Sequence, residues 1–174
     1  MAQADQAGIT PATQPRRWPA LLLLIVALIE FMGGLGDLPI LAGNLDEIPG
    51  PGLGGKIIVA TIIMRPIAAA PALFFLVRAN LPSALVSMSV VILLGWISYL
   101  PSIQLHGLEM QEDGAGGLLT FVLIILPPIL VLAIAGLALT GKRLTLATLL
   151  ACLPALVGIL TAVAFGIGVA IYGF

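Results

Sequence analysis

The chain has 174 residues, of which 60% are hydrophobic and 9% charged, with a formal net charge of −1. A soluble domain of this length carries about a quarter charged residues to wet its surface, so this composition excludes a water-facing exterior and requires lipid instead. The absence of a basic excess also excludes a nucleic-acid partner, which needs clustered Lys and Arg.

Residues 1–17 are polar, contain Pro11 and Pro15, and read as a short disordered tail. Arg16 and Arg17 then precede an apolar stretch from Trp18. No small-x-small cleavage pattern follows, so this stretch is expected to remain as an uncleaved anchor. Five apolar segments follow in order, at 18–36, 57–77, 83–104, 118–140 and 144–173. Each suffices to cross a hydrocarbon core of about 30 Å at about 1.5 Å per residue. The expected fold is therefore an all-α integral membrane protein, a bundle of about five transmembrane helices forming one domain over 18–174.

Two connections are tight, Arg78–Pro82 and Thr140–Arg143, and two are longer, 37–56 and 105–117. One side thus holds Arg16, Arg17, Arg78, Lys142 and Arg143, whereas the other holds Lys56 beside six carboxylates. The positive-inside rule then places the N-terminus in the cytoplasm and the C-terminus outside, in the inner (plasma) membrane.

Glu30 in the first segment and Arg65 in the second are expected at matching depth on sequential antiparallel helices. An unpaired charge there costs several kcal/mol, so the two are expected to pair. Small neighbours (Ala27, Gly33, Gly34; Thr61, Ala68, Ala69) would allow close approach. Such a pair is either a register-fixing salt bridge or part of a relay or substrate anchor.

The outer loops carry His106, Glu109, Glu112 and Asp113, with Asp46 and Glu47 in the other loop. Imidazole and carboxylates three apart can converge on a divalent cation. The simpler reading is that acidic residues collect outside because basic ones are excluded, and Gly107 and Gly114 oppose a stable helix there. Gly50 to Lys56 matches the opening of a phosphate loop, but Ile57 stands where Ser or Thr must hold magnesium. Nucleotide binding is rejected, and a flexible turn accounts for the glycines.

Prolines interrupt the second segment (Pro66, Pro71), the fourth (Pro127, Pro128) and the fifth (Pro154), favouring kinks. Ser83, Ser87, Gly95 and Ser98 are expected to form interhelical hydrogen bonds on the third segment. Trp18, Trp96, Tyr99 and Tyr172 fit an interfacial belt. The fifth segment shows Ala147, Ala151 and Ala155, then a packing stripe of Gly158, Ala162, Gly166 and Ala170. Small residues at this spacing admit another helix from the bundle, a membrane protein partner or a second copy. Cys152, the sole cysteine, reads as a small packing residue.

No catalytic set lies within the segments, and no cofactor is expected. The favoured function is a non-catalytic accessory or interaction subunit of a membrane assembly. A small transporter or channel-like protein using Glu30 and Arg65 comes second, and a metal-dependent membrane enzyme third.

Overall fold

The computed structural model of the chain describes residues 17–43, 52–106 and 115–173. All regular structure among them is helical: α1 (Trp18–Asp37), a short 3-10 helix (Leu38–Ala42), α2 (Gly52–Val77), α3 (Leu81–His106), α4 (Ala115–Thr140) and α5 (Leu144–Tyr172). α1, α2, α3 and α5 contain stretches long and apolar enough to cross a membrane. In α4 the apolar run with described side chains is shorter, Ile124–Thr140.

α1 packs on α2, α2 on α3 and α3 on α4, and α5 closes the bundle against α1, α3 and α4. Each helix contributes one narrow buried stripe, such as Leu23, Val26 and Ala27 on α1 or Leu130, Ile134 and Ala138 on α4. This i, i+3, i+4 spacing is the inward face of a helix. The rest of the exterior is apolar, with Leu21, Ile25, Ile67, Phe74, Leu132 and Leu160 among many exposed large side chains. A surface this apolar on every side suits lipid rather than water.

The hairpins are built by capping. After α2, Asn80 N–H donates to Phe75 O at 2.8 Å and Ala79 N–H to Leu76 O at 3.0 Å, the pattern of a Schellman cap. Ala79 therefore sits at φ 56°, a conformation usually given to glycine. Asn80 Oδ1 then accepts from Ser83 N–H at 3.2 Å, capping α3. Gly141, at φ 65°, turns the chain between α4 and α5.

Several expectations are corrected. α2 begins at Gly52 rather than 57, so Gly52 to Gly55 are helical rather than a flexible turn. The small size of Gly54 admits α3: a Cβ there would lie 3.1 Å from Pro101 Cβ. α3 starts at Leu81 rather than 83 and runs through Pro101 to His106, and α4 starts at Ala115 rather than 118. The expected kinks are not among these corrections: bent or straight, α4 is continuous through Pro127-Pro128, and α5 through Pro154. Proline tolerates this when neighbouring groups satisfy the freed carbonyls.

The core is concentrated at one end. Leu23 to Ala27, Ala69 to Ala72, Ala84 to Val91, Ile134 to Ala138 and Ala147 to Cys152 all lie toward the two tight hairpins. Past Ala155, α5 is almost wholly exposed.

Candidate functional site: a charge cluster beside a polar cavity

Arg65, midway along α2, meets Glu30 of α1. Its Nη2 donates to Glu30 Oε2 at 2.6 Å and its Nε to the same oxygen at 3.1 Å. The expected pair is therefore present in this geometry. Pro66 follows directly, and its ring packs against Gly34, where a Cβ would lie 2.9 Å from Pro66 Cδ. Gly33, expected to share this role, has nothing within 4 Å of its Cβ position. Gly34 alone sets the approach of α1 to α2 at this level.

A third charge joins them. Asp37 stands seven residues, two helical turns, after Glu30 on the same face of α1. Its Oδ2 lies 3.9 Å from Arg65 Nη1. That is ion-pair range, yet too long for a hydrogen bond. Glu30 is 15% exposed, Arg65 36% and Asp37 45%, so the cluster grades from an enclosed carboxylate to an open one. Its spacing from Glu30 carries the signal for Asp37, although the residue falls just past the apolar segment 18–36.

Asp37 and Arg65 line a cavity of about 240 Å³ between the ends of α1, α2 and α3, together with Thr61, Ser98 and apolar residues including Ile40 and Leu94. Thr61 Oγ1 donates to Ile58 O at 2.8 Å, and Ser98 Oγ to Gly95 O at 2.6 Å. Each hydroxyl hydrogen is thus spent on its own helix, leaving the oxygen as an acceptor.

The serine expectation is corrected in the same way. Ser87 Oγ donates to Ser83 O at 3.1 Å, within α3 rather than between helices. The interhelical polar contact of α3 comes instead from Trp96, whose Nε1–H donates to Ile124 O of α4 at 3.1 Å. Trp96 lies within α3, whereas Trp18 and Tyr172 stand at helix ends.

His106 ends α3, but its side chain and all of Glu109, Glu112, Asp113, Asp46 and Glu47 lie outside the described residues. Among the described residues no three His, Cys, Asp or Glu side chains are grouped to hold a metal. On α5, Ala147, Thr148, Ala151 and Cys152 are buried, whereas Gly158, Ala162, Gly166 and Ala170 are exposed. No described atom of another helix approaches the Cβ positions of Gly158 or Gly166 within 4 Å.

Comparison with protein-family models, curated proteins and solved structures finds no match for this chain.

Proposed function

We propose that the chain is a non-catalytic integral membrane protein, an assembly subunit that crosses the inner membrane five times with its N-terminus inside. The apolar exterior supports the membrane reading. So does the placing of Arg17, Arg78, Lys142 and Arg143 at the hairpin end of an antiparallel bundle. α4 becomes the fifth crossing because its helical backbone covers 26 residues, about 39 Å at 1.5 Å per residue.

One observation carries the assembly role. α5 spans 29 residues, yet only its first half is packed into this chain. Its buried face, Ala147 and Ala151, continues without a break in helical phase into Gly158, Ala162, Gly166 and Ala170. Lipid offers no hydrophobic drive for helices to associate, so close backbone approach through small residues is what selects a partner. The occupant that fits is a transmembrane helix of another chain, seated on the outer half of α5.

Photo-crosslinking at Ala162 and Gly166 in native membranes should yield a discrete adduct, and at Leu160, on another face, none. An absence of adducts at all three positions would remove the assembly role. Single cysteines at 46 and 112 should label from outside, and those at 79 and 142 only after permeabilisation. Outside labelling at 142 would overturn the five-crossing arrangement.

A further inference from the structure

We propose that the cavity beside Arg65 is a binding site for a small protonated amine. The inference goes beyond the assembly role and depends on a different part of the molecule.

Charge is the first argument. Glu30, Arg65 and Asp37 form a cluster with one cation and two carboxylates. Arg65 directs two donors to Glu30, at 2.6 and 3.1 Å, and this pairing offsets its charge. Asp37 is left 3.9 Å from the remaining nitrogen, beyond hydrogen-bond length. The carboxylate that reaches the cavity is thus incompletely satisfied, and the cluster carries an excess of one negative charge. A single positive charge complements it.

Hydrogen bonding is the second. Thr61 and Ser98 line the cavity with hydroxyl hydrogens already committed to Ile58 O and Gly95 O. Their oxygens accept and do not donate. With Asp37 they give the cavity three acceptor groups, one from each of α1, α2 and α3, against one incompletely used donor, Arg65 Nη1. A primary ammonium group offers three donors and no acceptor. A carboxylate or phosphate ligand would meet the reverse of what it needs.

Size and lining are the third. The cavity, about 240 Å³, is smaller than the range of drug-sized sites, and Ile40, Ile62 and Leu94 line its remainder. The ligand class is therefore an amine with a short hydrocarbon tail. Gly95 keeps the space open: nothing lies within 4 Å of its Cβ position.

The full chain in lipid nanodiscs should be titrated calorimetrically with propylammonium, with propionate and alanine as anionic and zwitterionic comparators and sodium chloride for ionic strength. Saturable binding of propylammonium alone is expected. Asp37→Asn should weaken it at least tenfold. Gly95→Leu should fold, because the added side chain enters open space, and should abolish binding. Both variants should keep the wild-type elution profile and helical content. No saturable binding by the wild-type protein would overturn the proposal. So would tighter binding of alanine or propionate, or propylammonium binding unaffected by Asp37→Asn or Gly95→Leu in folded protein. Crosslinking at Ala162 is unaffected by any of these outcomes, so the two readings fail separately.

Discussion

Trp96 donates its indole N–H to the backbone carbonyl of Ile124 across the α3–α4 interface, at 3.1 Å. In an unbroken α-helix that carbonyl would accept from the N–H four residues on, and that residue is Pro128, which has none. The tryptophan thus serves as the donor that the proline removed, and α4 runs through its double proline without a break.

Trp96→Phe is expected to destabilise the protein by about 1 kcal/mol, within the measured range for interhelical hydrogen bonds in membranes. In a Pro128→Leu background the same change should lose the hydrogen-bond part of its cost, because Leu supplies the missing N–H. A double-mutant cycle read by thermal or denaturant unfolding in detergent measures the coupling. Equal costs in both backgrounds would show that Trp96 acts by packing alone.

The charge cluster predicts an asymmetry between its members. Glu30→Gln leaves Arg65 with Asp37 still in ion-pair range, whereas Arg65→Gln leaves two carboxylates on one face of α1 with no cation. Arg65→Gln should therefore be the costlier change, by about 2 kcal/mol or more, as expected when a low-dielectric pair loses one partner and water softens the loss. Glu30→Gln with Arg65→Gln should recover folded yield. Asp37→Asn should also partly rescue Arg65→Gln. Equal yields for all single variants would mean that the charges do not depend on one another.

Gly34 and Gly33 separate cleanly. Gly34→Ala puts a Cβ 2.9 Å from Pro66 Cδ, and forcing α1 from α2 should cost about 1–3 kcal/mol. Gly33→Ala meets open space and should be neutral or stabilising by up to about 1 kcal/mol, since alanine is the better helix former. Melting temperatures of the two variants in one detergent decide the matter, and the opposite order would refute the close contact.

Ala79→Gly should stabilise the α2–α3 hairpin. Ala79 is held at φ 56° by the cap after α2, a conformation that costs a residue with a Cβ about 1–2 kcal/mol. Part of that gain is returned as glycine's unfolded-state entropy, leaving about 0.5–1 kcal/mol by the same principles. A raised melting temperature is the expected readout, and a lowered one would refute the cap.

Much was legible because the bilayer imposes one-dimensional rules. Hydrophobic length marked the helices within a few residues, and cost at depth joined Glu30 to Arg65. Hydropathy could not place the ends, since Gly52 to Gly55 look like a loop until Gly54 is seen to lie against Pro101. The hydroxyls were legible as residues but not as bonds: on a helix Ser and Thr can turn back to their own carbonyls, and Ser87, Thr61 and Ser98 do.

Composition and charge by themselves determined an apolar helical bundle with most of its basic residues at one end, because those properties add along the chain. Tertiary structure alone decided that Asp37 joins Arg65, that Trp96 substitutes for Pro128, and that a cavity opens beside Thr61 and Ser98. Each of these depends on the rotation of one helix against another. That rotation is fixed by contacts such as Gly34 with Pro66, between residues distant in sequence, so no window along the chain contains it.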